Sequence, residues 1–456
     1  MSGIAKTALT RLSLLIAGLC LAAVPAHAAV DGPIKAGAAK IDVTPGRASL
    51  PEGTDGVHDP VFVRAIVVDN GATRAALVSV DTIGIPTDVW ARVSRRIEQQ
   101  LGIPARNLML GATHTHSAFL RGAPFEDGVV RAVADATKRL QPATIAYGTG
   151  VSYINVNRNM IDPATHRWTE GPNYDGPSDK TVAVVRFSDT AGKPIAVYYN
   201  YAVHAVLSGQ LDQVSADIPG ATSGYIEDSL GPDTVAVWSE GAAGDQNPIY
   251  FQQTYDLREW RIRDYAKRGI DISNTMLPGG KGLNKQDPAV VRLMNQQRQM
   301  VVSMGQMLGE EVLHVVRTTP DRPFARASIE GAQSTITCPG RTRIDSGRAG
   351  SPGHYEDAGP VPIRLSMVAL GDIVIGGVDA ELFTTIGQRL KQESPFKRTI
   401  LATLANGTAP SGYIPNDAAF GYETFEVLSS QLKPGCAETA IVDGLVALAG
   451  RPTETR

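Results

Sequence analysis

Apolar positions along the chain follow two periods. Short β-rich runs cover 61–69, 75–80, 108–110, 181–187, 195–201 and 234–238, and 365–378 is strand-rich. Lys40-Ile41-Asp42-Val43-Thr44-Pro45 reads as a further strand ending in a turn, and 61–69 closes at Asn70-Gly71, a hairpin signal. Other stretches carry helical spacing. In Thr87–Leu101, Val89, Val93, Ile97 and Leu101 form one stripe. A second amphipathic helix is predicted over 128–140, and one over 382–391. Asp287-Pro288 is a helix start, opening a long helix to about 316 with Val291, Met294, Met300, Met304, Leu308 and Val312 on its apolar face. Strands alternating with helices predict an α/β fold, a mixed β-sheet core flanked by helices.

The N-terminus changes the compartment. Lys6 and Arg11 precede an apolar stretch, 12–24, and Ala26-His27-Ala28 is a small-x-small cleavage site. Residues 1–28 therefore read as a signal peptide, and the chain as exported, periplasmic or secreted. The rest, 29–456, is long enough for one large core or two domains, and no transmembrane segment is expected in it. A net charge of −3 without a basic run argues against nucleic acid as a partner. Cys338 and Cys436 lie beyond the cleavage site; export permits a disulfide between them, and two buried thiols are the alternative.

Candidate chemistry gathers at strand ends. The run 108–110 leads into Gly111-Ala112-Thr113-His114-Thr115-His116-Ser117. In extended backbone, residues two apart share a side, so both imidazoles are expected to face one spot. That suits a metal site, although His-x-His pairs also occur as loop residues. The strand over 195–201 ends at a third histidine, His204. Glu381 is expected at the N-terminus of the helix over 382–391, where a carboxylate suits the helix dipole and is also a hard ligand. In Glu240-Gly241-Ala242-Ala243-Gly244-Asp245-Gln246-Asn247-Pro248, small residues allow close backbone approach and Asp245 can orient a neighbour; a tight turn is the plainer reading. Arg158 in Asn155-Val156-Asn157-Arg158-Asn159 follows a short strand and reads as a surface arginine or a substrate anchor. Tyr413 and Tyr422 lie in one loop, His58 reads as an ordinary loop residue, and Asp81 as a turn cap or a support for a site.

Taken together, these pieces resemble the neutral ceramidase family, non-lysosomal zinc amidases that cleave ceramide. The resemblance covers about 38–426 and rests on Ala39-Lys40-Ile41-Asp42-Val43-Thr44-Pro45, Thr113-His114-Thr115-His116-Ser117, Asn155-Val156-Asn157-Arg158, Tyr201-Ala202-Val203-His204, Glu381-Leu382-Phe383-Thr384-Thr385 and Gly412-Tyr413-Ile414. It implies a strand-end site for Zn2+ with His114, His204, Glu381 and Tyr413 as ligands. It places His116 on the substrate side, with Arg158 and Tyr422 holding the substrate. The implied activity is hydrolysis of the amide of an N-acyl, ceramide-like lipid by zinc-activated water, with peripheral membrane contact.

Two departures from the family pattern stand out. The family's loop after Gly-Asp carries a serine at the catalytic centre, and here Asn247 stands in its place. An amide cannot serve as a nucleophile but can hold a water or an oxyanion, which favours a water route over an acyl-serine route. The family's C-terminal β-sandwich is also expected to be absent. The alternatives are a zinc- and lipid-binding protein without catalysis, and a zinc hydrolase of a non-lipid acyl amide or ester.

Overall fold

The structure, a computed structural model, describes residues 30–50, 53–273, 283–318, 321–347 and 349–450. The expected signal peptide, 1–28, lies outside the described residues.

An eight-stranded mixed sheet runs in the order Val235–Glu240, Pro194–Tyr201, Thr181–Asp189, Gln141–Val151, Lys35–Asp42, Phe62–Asp69, Arg74–Val80, Leu108–Ala112. Its halves meet at a narrow seam, where only Lys35 and Ala36 pair with Pro142 and Gln141. At that seam the sheet folds over. Ile66, Val68 and Leu77 of one half share a core with Val185, Phe187, Tyr198 and Val237 of the other. Neighbours in the same strands point the opposite way, because successive strand residues alternate faces. Val63, Ala65, Val67, Val78 and Val80 pack under the helices Thr87–Leu101 and Ala123–Lys138. Val184, Tyr199, Tyr201 and Trp238 pack under Asp217–Leu230 and Pro288–Thr318. Strands covered on both faces read as apolar runs instead of alternations, which is how they appear in the sequence.

A four-stranded sheet, Ile329–Arg343, Tyr355–Leu370, Ile373–Val378 and Arg398–Ala402, packs one face on that shared core and the other on the helices Thr384–Glu393 and Ala437–Ala449. The mixed α/β class and the four expected helices are present. Ala123–Lys138 begins five residues before the predicted start, with Pro124 in its first turn. The helices Asp217–Leu230, Gln252–Ala266 and Ala437–Ala449 and the long strand Ile329–Arg343 were not legible in the apolar spacing. The Met-rich face of Pro288–Thr318 is core: Met294 and Met304 are buried. No helix among the described residues is long and apolar enough to cross a membrane.

Two cross-links hold the layers. Asp81 is neither a turn cap nor part of a site; with Glu227 it sandwiches the buried Arg64, at 3.0 and 2.9 Å, and Glu227 also takes Lys40 at 2.6 Å. This ties the first half-sheet to the helix that covers the second. Cys338 and Cys436 form a disulfide across 98 residues, pinning the start of the helix Ala437–Ala449 to the four-stranded sheet. Such a bridge removes entropy from the unfolded chain. Cys338→Ser is expected to cost about 2–4 kcal/mol, read as a lower thermal midpoint; a midpoint equal to that of the parent contradicts this.

Candidate metal centre

The fold-over at the seam brings together strands from opposite ends of the sheet order. Leu108–Ala112 and Pro194–Tyr201 each pair in parallel with a neighbour, and the segments leaving their carboxyl ends meet. This is where open parallel sheets characteristically bind ligands.

The strand carrying the histidine pair stops at Ala112, and His114 adopts the left-handed region at φ 62°. The two imidazoles therefore do not converge by strand alternation, as expected from the sequence, but by a turn. Backbone bonds fix that turn: Thr113 N donates to Val80 O (2.9 Å), His114 N to Thr82 O (3.0 Å) and His116 N to Ala205 O (3.0 Å). His204 N donates to Gln246 O at 3.1 Å. Glu381 is not the first residue of a helix; it sits in a two-residue strand, Glu381–Leu382, before the helix Thr384–Glu393. That strand pairs in parallel with Tyr413–Ile414, so Glu381 and Tyr413 are register partners. Gly412, at φ 65°, makes the turn before Tyr413.

These four segments place five polar groups around one point. Glu381 Oε2 lies 3.0 Å from His114 Nε2 and 3.1 Å from His204 Nε2, and the two nitrogens are 3.2 Å apart. His116 Nε2 is 3.3 Å from His114 Nε2, and the Tyr413 hydroxyl is 3.4 Å from His204 Nε2. The ligand nitrogens of the three histidines all lie within 4.8 Å of one another.

Proton accounting shows what the cluster lacks. His114 Nδ1 lies 2.7 Å from Ile83 O, and His204 Nδ1 lies 2.7 Å from Ala243 O. A carbonyl only accepts, so each Nδ1 carries the hydrogen, and in the neutral imidazole each Nε2 presents a lone pair. Two lone pairs and a carboxylate oxygen thus face each other in a buried site. Such a triangle repels itself unless a cation shares it. Donors 2.0–2.1 Å from a tetrahedral ion are about 3.3 Å apart, close to the edges found. The residues therefore fit a divalent metal, with His114, His204 and Glu381 as its base and Tyr413 or His116 adjoining.

The pKa shifts follow from burial and from the charges facing each group. Burial, helped by the Arg158 charge, pushes His204 down to about 4. Burial and the neighbouring imidazoles push His116 well below its ordinary value. Burial opposes a charge on His114, but the Glu381 carboxylate outweighs it and raises that pKa. Burial likewise works against ionised Glu381, yet His114 and His204 hold it well below the usual carboxylate range.

Arg158 is not on the surface. It lies within the strand Asn155–Asp162, 3% exposed, beneath the 244–247 turn. Its guanidinium donates to Glu426 Oε1 (2.8 Å), Asn247 Oδ1 (3.2 Å), Gly244 O (2.6 Å) and the Tyr413 hydroxyl (3.3 Å). It is committed to protein groups, and braces Tyr413. Glu426 and Phe425, whose ring lies 4.7 Å from the guanidinium, carried no signal in the sequence. Asn247 donates to Glu170 Oε1 at 3.0 Å and borders a cavity of about 200 Å³ walled by Val156, Pro172, Ile249, Phe251 and Tyr255. Asp245 is buried and serves the frame: it accepts from Asn157 Nδ2 (2.9 Å), Gln246 Nε2 (3.0 Å) and Thr384 N (2.9 Å). The small residues beside it admit the Glu381–Leu382 strand rather than a ligand; a Cβ on Gly244 would stand 2.8 Å from Leu382 O. Tyr422 is 56% exposed at the end of a short 3-10 helix and makes no hydrogen bond to the cluster. His58 pairs with Asp59 instead.

No protein-family model matches the chain. It is 28% identical over 297 residues to a neutral ceramidase of Pseudomonas aeruginosa, covering 56% of this chain and 44% of that protein. It is 24% identical over 494 residues to neutral ceramidase A of Dictyostelium discoideum, covering 84% of this chain and 66% of the relative. The chain thus spans less than two thirds of either protein's length. Among solved structures, a ceramidase complexed with C2 superposes with a TM-score of 0.66 at 18% identity, over 93% of this chain and 76% of that one. The neutral ceramidase of Pseudomonas aeruginosa superposes at 0.62 and 16% identity, over 91% and 74%. In sequence the chain is similar to neutral ceramidases, and it shares the fold of their solved structures.

Proposed function

We propose that the chain is an exported, zinc-dependent amidohydrolase that cleaves the amide of an N-acyl lipid with water as nucleophile. The observation that carries the reading is the triangle of His114 Nε2, His204 Nε2 and Glu381 Oε2, three electron-pair donors turned on one point with edges of 3.0–3.2 Å. A zinc ion held there supplies a Lewis acid, lowering the pKa of water toward about 7 and polarising the amide carbonyl. The chain's own residues do the rest. Ile83 O and Ala243 O orient the two imidazoles. Arg158 holds the Tyr413 hydroxyl toward His204. His116, half-buried and with its pKa depressed, stands beside the centre as a neutral imidazole, the form that would take the proton released by the attacking water and pass it on to the departing amine nitrogen. Asn247 offers no nucleophile; its side chain is held between Arg158 and Glu170, which supports the water route. The cavity beside Asn247, where Val156, Ile249 and Phe251 stand among polar residues such as Gln252 and Gln253, offers apolar surface to an acyl substrate, and the disulfide supports an oxidising compartment.

Fatty acid released from a panel of N-acyl amines should rise with added zinc and fall with a chelator. His114→Ala should abolish both the release and tight metal uptake. A zinc-loaded chain that binds these lipids but never cleaves them overturns the hydrolase reading in favour of a binding protein. Arg158→Lys should lose about 10- to 100-fold in activity or metal affinity while staying folded, because it frees Tyr413; an unchanged rate contradicts that bracing role. Metal affinity should weaken as pH falls, since imidazole and carboxylate must shed protons to bind. His114, whose pKa is raised, is the first of the two imidazoles to take a proton and lose its lone pair. Flat affinity between pH 8 and pH 5 contradicts this donor set.

A further inference from the structure

One buried carboxylate near the centre has no use in the chemistry above. Asp217 is fully buried, at the start of the helix Asp217–Leu230, with its backbone in the left-handed region at φ 55°. Among the described residues no cation pairs with it; the charged group acting on it is Asp59, another carboxylate. Its Oδ2 accepts from Ser208 N (2.6 Å) and from Ser208 Oγ, and its Oδ1 from Ile218 N (2.7 Å). Ser208 Oγ in turn accepts from Ser117 Oγ at 2.8 Å. Ser117 is the residue after His116, and unlike Ser208 it is only half-buried.

The direction of each hydrogen in this chain is forced. Burial pushes the Asp217 carboxyl up to about 6, so above that pH it is ionised and only accepts. Ser208 has one hydroxyl hydrogen and spends it on Asp217. The Ser208 oxygen must then receive the one hydrogen that Ser117 has. What remains on Ser117, at the half-exposed end of the relay, is acceptor capacity alone.

A fatty acyl group carries no hydrogen-bond donor. Any donor on an N-acyl substrate sits on its amine side. We infer that Ser117 is a specificity-determining residue that accepts a hydrogen bond from a hydroxyl or N–H on the amine portion of the substrate, with Ser208 and Asp217 as positioning residues that fix its polarity. This rests on the N-acyl hydrolase reading, and adds to it a requirement for a donor next to the scissile amide.

The test compares two ligands that differ by one hydroxyl, the dodecanoyl amides of ethanolamine and of ethylamine. Their binding to the intact, chelator-treated chain is measured by titration calorimetry above pH 7, so that no turnover is needed. The parent chain should bind the hydroxyl-bearing amide roughly three- to tenfold more tightly. Ser117→Ala should bind the two equally, Ser117→Thr should keep the preference, and Ser208→Ala, which releases the Ser117 hydroxyl to rotate, should shrink it. Equal binding by the parent, binding of neither amide, or a preference that survives Ser117→Ala overturns the inference. The two readings fail separately. Hydrolysis of both amides by the zinc-loaded chain without a binding preference leaves the hydrolase and removes this role for Ser117. A preference without hydrolysis does the reverse.

Discussion

Mutual repulsion among electron-pair donors is the constraint on which the centre depends. His114 and His204 each anchor one ring nitrogen on a backbone carbonyl, so in the neutral imidazoles the other nitrogens have no hydrogen to offer. Glu381, ionised between them, has none either. Burying three such groups within 3.2 Å costs free energy unless a positive centre joins them. The scaffold that holds them in place spans the molecule. Four segments distant in sequence contribute, and each is locked by backbone hydrogen bonds to a neighbour: 113–116 to Val80, Thr82 and Ala205, His204 to Gln246, and Glu381–Leu382 to Tyr413–Ile414.

The surrounding polar groups work outward from that triangle. Arg158 braces Tyr413 and is itself held by Glu426, whose carboxyl burial pushes up to about 7 against the pull of Arg158. Asp245 ties Asn157 to the first turn of Thr384–Glu393, so the strand that carries Glu381 cannot drift from the strand that carries Arg158. Ser117, Ser208 and Asp217 form a second polar chain, beginning at the residue after His116.

Much of the frame could be read from spacing. Thr87–Leu101 appears with the same bounds in the sequence and in the structure, because its stripe, Val89, Val93 and Ile97, faces one core. The strands were legible because burial on both faces leaves near-continuous apolar runs. The fold-over of the sheet was not, since it depends on a seam of only two residue pairs. The helix Asp217–Leu230 was missed for a different reason: it begins with a left-handed residue and a Pro-Gly pair, and its buried positions include Thr222, Ser223 and Glu227. At the site, residue identity was legible and geometry was not. Alternation along a strand cannot foresee a left-handed His114, and a helix dipole does not account for Glu381 when a strand pair with Tyr413 holds it. Arg158 looked like surface because its partners, Gly244, Asn247, Tyr413 and Glu426, lie 86 to 268 residues away.

The central claim concerns the atoms that surround the ion. X-ray absorption spectroscopy on the zinc-loaded chain reads those atoms directly. The account predicts a shell of nitrogen and oxygen at roughly 2.0–2.1 Å, with the outer-shell signature of two imidazoles, and the loss of one of them in His204→Ala. A shell of water oxygens alone, or one indifferent to that substitution, contradicts it.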